Sequence, residues 1–194
     1  MAYPPEPMRQ PSGRKPAPDR LSTVQDFINT RDIEGQHEHI GTADELDAWL
    51  RQRRLLDSDA PACTDDDVRR AHALREALRQ IAAANHDLSN PAPGPVAVVE
   101  DSARRAALTL TFSQDGGWRL DSDADGSDRA FGRLLAIMYD AIRSDRWQRL
   151  KACSRDACRW VFWDGSPNHK GRWCSMAICG NRSKVAAYRR RTDS

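Results

Sequence analysis

The chain lacks any long hydrophobic run. No segment of its 194 residues approaches the run of about 18 uncharged apolar residues that a membrane-spanning helix needs. Residues 1–20 are rich in proline and polar side chains, and they contain no apolar segment like that of a secretory signal peptide. We therefore expect a disordered leader at 1–20, a cytoplasmic protein and no membrane partner.

Cysteine is also scarce, with five in the chain, but four of them are clustered near the C-terminus. Cys153 and Cys158 form one C-x4-C pair, Cys174 and Cys179 form a second, and fifteen residues separate the pairs. Thiols in the cytosol stay reduced, so a cluster of cysteines there indicates metal more often than disulfides. Two close pairs at this separation are typical of a tetrahedral thiolate site, which predicts one structural Zn²⁺ ion.

Three alternatives to a four-cysteine zinc site stay open. The thiols could form two disulfides or hold an iron–sulfur cluster, and His169 could replace one ligand, although it lies in what reads as an exposed hairpin tip. Cys63 stands apart and is expected to be an ordinary free thiol. Four thiolates leave no open position for substrate on the metal, and His37–His39 lacks metal-protease spacing. We therefore expect no enzyme.

Acidic residues are rare at one end of the chain. From residue 143 to 194 there are 13 Lys or Arg against 4 Asp or Glu, a net charge of +9, whereas the remainder carries −7. Five cations come after the last cysteine within ten residues, in a segment that favours a helix: Arg182, Lys184, Arg189, Arg190 and Arg191. Such a basic helix on a zinc module is suited to DNA phosphates. The alternatives are a solvated helix end and attraction between the two halves.

Apolar spacing predicts a mainly helical body with one small antiparallel hairpin. The predicted helices cover 21–30, 42–56, 64–85 and 127 to about 150, with loops at 31–41 and 89–95 and hairpin strands at 106–112 and 118–120. A second hairpin, from 159–164 and 172–173, would belong to the zinc module. Asn29 interrupts an apolar helix, either for a functional reason or as a helix-ending cap. The predicted class is α+β, with no internal repeat.

The C-terminal segment resembles the CGNR zinc finger. The name comes from the tetrapeptide Cys179–Arg182, and the family's F-x-D-x-S and R-W-C-S-M patterns are matched at 162–166 and 172–176. The resemblance implies a zinc-binding, DNA-binding module and adds Arg172 to the expected phosphate contacts. One departure is Gly171, which stands where the family usually has a second arginine before the tryptophan.

The N-terminal part resembles the ABATE domain, which commonly precedes this finger and is associated with stress-induced transcription regulation. Residues 26–30 are similar to its D-F-x-N-T opening, and the helices around Trp49 and Leu74–Leu78 resemble the later helices of that domain. The implied organisation is a leader at 1–20, an ABATE-like domain at 21–150 and a finger at 151–194. The implied function is a zinc-dependent DNA-binding transcription regulator, whose N-terminal domain senses a small-molecule effector or forms a homodimer. The alternative is an adaptor that binds protein or RNA through the basic module.

Overall fold

A computed structural model describes residues 15–112 and 116–192, apart from the side chains of Ala187, Arg190 and Thr192. The helices are α1 (Leu21–Asn29), α2 (Ala43–Gln52), α3 (Asp65–Ala84), α4 (Pro93–Arg105), α5 (Gly126–Arg143) and α6 (Asn181–Thr192). The strands are β1 (Arg31–Asp32), β2 (His37–Glu38), β3 (Leu108–Phe112), β4 (Trp118–Ser122), β5 (Leu150–Ala152) and β6 (Val161–Trp163). They form three two-stranded antiparallel sheets, which confirms the α+β class.

Helix α1 lies at the centre of the body. Every residue of α1 except Ser22 is buried, and Val24, Phe27 and Ile28 are completely inaccessible to solvent. The ring of Phe27 contacts the rings of Trp49 on α2 and Phe131 on α5. The apolar stripes of α1, α2, α3 and α5 therefore converge on one core, as their spacing predicts.

Local sequence signals set the starts of α2 and α3. Thr42 and Glu45 form a capping box at α2, and Thr64 and Asp67 form another at α3, so each helix has its first free N–H groups satisfied. Helix α2 ends at Gln52 rather than near residue 56. The chain turns at Arg54, which has a left-handed φ of 55°, and then buries Leu55 and Leu56.

Three segments differ from the sequence-based expectations. The loop predicted at 31–41 contains the short β1–β2 hairpin. The segment 93–105 forms α4, where Pro93 and Pro95 occupy the first turn, in which proline costs no hydrogen bond. Helix α5 ends at Arg143 and is followed by a 3₁₀ turn at Trp147–Arg149, so it does not continue to Leu150.

The β3–β4 hairpin packs against α5 and α4. Leu110 lies opposite Leu120, and Phe112 lies opposite Trp118, with the two aromatic rings in edge contact at 5.0 Å. The turn predicted for this hairpin at 114–117 lies partly outside the described residues.

The β5–β6 hairpin joins the C-terminal module to the body. Strand β6 pairs with β5, with Lys151 opposite Phe162, and not with the 172–173 segment, so the predicted strand pairing is wrong. Strand β5 packs on α3, and Leu150, Ala152 and Val161 belong to the core of the body. A boundary at 150/151 between separately folding domains stays a prediction.

Residues 15–20 of the predicted leader contact the body, whereas residues 1–14 lie outside the described residues. Ala17 is buried, and its backbone N–H donates to Gln25 Oε1 at 2.6 Å. Asp19 forms an ion pair with Arg146 at 2.7 Å. Across the described part of the chain, no helix is long and apolar enough to cross a membrane.

Candidate zinc centre and basic helix

The structure brings the four clustered cysteines together in a buried site. The Sγ atoms of Cys153, Cys158, Cys174 and Cys179 all lie within 4.8 Å of one another, and each residue is at least nine-tenths buried. The Sγ–Sγ distances are 3.7 Å between Cys158 and Cys174 and 3.6 Å between Cys174 and Cys179. Four thiolates at about 2.3 Å from a tetrahedral zinc ion would be about 3.8 Å apart. The sulfur positions therefore fit one Zn²⁺ ion.

The structure argues against two of the alternatives, a pair of disulfides and a histidine ligand. Disulfide sulfurs lie about 2.0 Å apart, so neither measured pair is a disulfide. His169 is exposed and lies outside the cluster. Cys63 is also a free thiol, and burial together with the nearby carboxylate of Asp47 raises its pKa to about 12. Cys63 does not belong to the group of four clustered cysteines.

Backbone and side-chain donors surround the sulfurs. Contacts with the side chains of Cys158 and Cys174 and with the backbone N–H groups of Cys174 and Arg155 lower the pKa of Cys153, whereas contacts with Cys153 and Cys158 raise the pKa of Cys174, so the sulfurs titrate as a coupled group. The guanidinium of Arg155 donates to the Cys179 sulfur and to Glu34 Oε1, the latter at 2.7 Å. Donors of this kind stabilise thiolates, which are the form that binds metal.

The aromatic residues divide between the cluster and the body. Trp160 and Phe162 pack on the cysteines, whereas Val161 and Trp163 pack on the core of the body. This alternation is the one predicted from the strand period of two. Strand β6 therefore contacts the cysteine cluster with one face and the core of the body with the other.

Asn29 connects α1 to β6. Its Nδ2 donates to the carbonyl oxygen of Val161 at 2.8 Å, and its Oδ1 accepts from the Val161 N–H at 2.9 Å. Gln25 donates a second hydrogen bond to the same carbonyl at 3.2 Å. The side-chain amide of Asn29 thus pairs with the free edge of β6 as a neighbouring strand would. Asn29 is neither a helix cap nor a solvent-facing group.

Further polar side chains of α3 hold the backbone of the C-terminal module. Arg79 is 2% exposed and donates to the carbonyls of Ile28 and Arg159 at 2.7 and 2.9 Å. Just beyond the end of α3, His86 Nε2 lies 2.6 Å from the carbonyl oxygen of Ala152. The contacts to Arg159 and Ala152 end on backbone carbonyls of the module, so they fix its position against the body without requiring particular side chains there.

A buried ion pair organises the loop between the two cysteine pairs. Lys151 Nζ lies 3.0 Å from Asp164 Oδ2, and both side chains are at most 3% exposed. Asp164 also accepts from Ser166 and from the N–H of Gly171. A Cβ at residue 171 would lie 2.8 Å from Asp164 Oδ1, so a side chain there would displace this carboxylate. Glycine at 171 thus permits a close approach of the backbone to Asp164 in this chain.

Helix α6 begins directly after the metal cluster. A π-helical turn, Met176–Gly180, carries Cys179 and leads into α6, which packs on that turn. The side chains of Lys184, Arg189 and Arg191 are exposed, and so is that of Arg172, which lies outside the helix. Arg182 is 56% exposed and forms an ion pair with Glu34 of the β1–β2 turn. The structure therefore brings most of the predicted cations to one helix at the surface, while the side chain of Arg190 lies outside the described ones.

Family comparisons agree with this architecture. The CGNR zinc finger matches residues 149–192. ABATE, described as a putative stress-induced transcription regulator, matches residues 21–157, which is most of the chain. The chain belongs to the ABATE family. Both matches are of regulator and zinc-finger type rather than enzyme type. No curated protein matches the chain.

The ABATE and finger matches overlap over residues 149–157, which contain β5 and Cys153. This overlap agrees with the packing, because β5 forms part of the finger hairpin and also packs on α3 of the ABATE body. Sequence reasoning found the cysteines and the basic helix but missed Glu34, Arg79 and Arg155. The contacts of Glu34 with Arg155 and Arg182, and those of Arg79 with Ile28 and Arg159, join residues more than 40 positions apart in sequence, and no local pattern marks them.

Proposed function

We propose that this ABATE protein is a zinc-dependent, DNA-binding transcription regulator. Zinc bound by Cys153, Cys158, Cys174 and Cys179 would hold the π-helical turn from which α6 begins. Arg172, Arg182, Lys184, Arg189, Arg190 and Arg191 would contact DNA phosphates. The observation that carries the proposal is the placement of an exposed cationic helix immediately after the buried cysteine cluster.

The character of α6 supports a polyanionic partner. Half of its described exposed side chains are cationic, and within the described part of α6 there is no acidic residue. The described cations of α6 lie on the exposed surface of the helix, where a partner can reach them. Positively charged side chains on a rigid helix attract duplex DNA through its phosphates and release counterions.

The anchoring of the finger supports a regulatory role for the ABATE body. The contacts of Asn29 and Arg79 fix the β5–β6 hairpin to the body, so a change in the body would move the finger with it. An effector bound in the body, or a second copy of the chain, would then alter how α6 meets DNA. The exposed Leu110, Phe112 and Trp118 on the β3–β4 hairpin are the surface on which a second copy would pack.

Salt-dependent DNA binding tests the proposal. If the five cations of α6 contact phosphates, the logarithm of the affinity for duplex DNA should fall with the logarithm of salt concentration at a slope of roughly −4 to −5 per finger, and a contact from Arg172 would add about one unit. Fluorescence anisotropy of a labelled duplex, titrated with the zinc-loaded full chain at several salt concentrations, measures this slope. Replacing Arg189, Arg190 and Arg191 by Ala should make it shallower by up to about three units.

A matched variant distinguishes an effect of the α6 arginines from a general loss of positive charge. Arg104 and Arg105 are exposed arginines on α4 of the body, and replacing both by Ala should leave the slope unchanged. If the α6 triple variant keeps wild-type affinity and slope, α6 is not the DNA surface. The adaptor function would then be favoured, since Val185 and Tyr188 on α6 are 50% and 63% exposed and would suit a protein partner.

A further inference from the structure

A cavity of about 510 Å³ lies in the ABATE body, between α3, α4, α5 and the turn that leads to β5. Its floor contains the buried side chains of Ile81, Met138 and Trp147, and α4 contributes Val96 and Val99 to its wall. This volume is within the range of small-molecule sites, which run from about 300 to 1,000 Å³ and are mostly apolar. We call it the α4 cavity.

Two large apolar side chains are exposed at the rim of the α4 cavity, among polar neighbours. Leu88 is 69% exposed and Ile142 is 48% exposed, and both border the cavity. Large apolar side chains at the mouth of a concave apolar site favour an apolar ligand, because binding removes this surface from water.

A single charged residue lines the α4 cavity. Glu100 on α4 contributes a carboxylate, and the remaining polar lining residues are neutral amides or a hydroxyl: Asn85, Ser89, Asn90 and Gln148. With no basic residue in the lining, an anionic ligand would meet repulsion, whereas a cationic group would meet the carboxylate at close range. Glu100 is exposed, so its carboxylate gives a modest preference for an amine over an anion at this rim.

The α4 cavity also borders the residues that hold the start of β5 against the body. Asn85 lines the cavity, and its Nδ2 donates to the carbonyl oxygens of Trp147 and Leu150 at 2.9 and 2.8 Å. Leu150 begins β5, the strand that the body shares with the finger. A ligand that contacts Asn85 and Trp147 would therefore stabilise the hydrogen bonds that hold the start of β5.

We propose that the α4 cavity binds a small lipophilic amine and that the bound molecule rigidifies the start of β5, the strand through which the finger is attached to the body. This inference rests on the proposed function and deepens its effector sensing. Its binding test involves no DNA, so failure of the cavity and failure of DNA binding are distinguishable.

Fluorescent probes of opposite charge test the α4 cavity. The cationic trimethylammonium-diphenylhexatriene and its carboxylate counterpart, diphenylhexatriene propionate, share one apolar body, so their affinities for the full zinc-loaded chain isolate the effect of charge. We expect the cation to bind roughly fivefold or more tightly than the anion. Glu100→Lys should reverse this preference, whereas Asp59→Lys, an exposed carboxylate remote from the cavity lining, should not.

Two further variants locate the probe. Val99→Trp fills the cavity and should abolish binding of both probes, whereas Trp118→Ser on the exposed β3–β4 hairpin should leave binding intact. Hydrogen exchange of the Leu150–Ala152 amides should slow when the cationic probe is bound.

Loss of binding in Trp118→Ser, with retention in Glu100→Lys, would overturn the proposal by placing the probe on the hairpin. Equal affinity for the two probes, or no binding of either probe, would also overturn it.

Discussion

The amide of Asn29 should account for a large share of the coupling between the ABATE body and the finger. Replacing it with leucine of similar size leaves the Val161 N–H buried without an acceptor, while the Val161 carbonyl keeps its bond from Gln25. One buried orphan donor costs about 1–3 kcal/mol, and loss of the second hydrogen bond adds about 0.5–1.5 kcal/mol. We therefore expect the free energy of unfolding to fall by about 2–4 kcal/mol.

Thermal melting of zinc-loaded protein measures this effect. For a chain of this length the expected loss corresponds to a decrease in Tm of roughly 4–16 °C. Asn29→Asp should not rescue stability, because its second oxygen would face the Val161 carbonyl and its charge would be buried. Asn90→Leu, which changes an exposed amide, is the matched control and should shift Tm little. An unchanged Tm in Asn29→Leu would refute the assignment of Asn29 as an anchor.

Three other predictions concern the finger. Asp164→Leu should destabilise more than Lys151→Met, because it leaves a buried ammonium with the His169 carbonyl as its remaining neutral partner, whereas the carboxylate keeps its bonds from Ser166 and Gly171. Denaturant titration of both variants checks the order, and the reverse order contradicts it. Elemental analysis should find one zinc ion per chain, and the Cys153→Ser variant should lose both the metal and the fold of the finger. Wild-type protein purified without metal would disprove the site. Glu34→Gln should tighten DNA binding roughly twofold to fivefold, since it releases Arg155 and Arg182 from their ion pairs with this carboxylate. The control variant Asp59→Asn should leave the affinity unchanged. Weaker binding by Glu34→Gln would show that the carboxylate positions the two arginines for DNA.

Local signals in the sequence were sufficient for much of the fold. The capping boxes at Thr42 and Thr64 and the apolar spacing of α1, α3 and α5 predict these helices because hydrogen bonds and side chains within a few residues decide them. The cysteine pairs were equally predictable, since a zinc site imposes its own spacing. Helix α4 was missed because Pro93 and Pro95 indicate a loop unless they fall in a first helical turn.

Contacts between distant parts of the chain were not predictable. Strand β6 was expected to pair with residues 172–173, but its partner is β5, because burial of Val161 in the body places that face of the hairpin on α1. Asn29 was singled out only as a polar residue in an apolar helix, and its partner lies 132 residues away. Such pairings depend on how the ABATE body and the finger dock, which no single segment encodes.

The central claim is that the zinc-held finger, and α6 in particular, is the DNA surface of this ABATE protein. Amide hydrogen exchange of the zinc-loaded full chain, measured with and without a random-sequence duplex at low salt, tests it most directly. We expect slower exchange with DNA over residues 172–192 and no comparable change in α3 or α5. Protection confined to the ABATE body, with α6 exchanging as in the free protein, would contradict the claim.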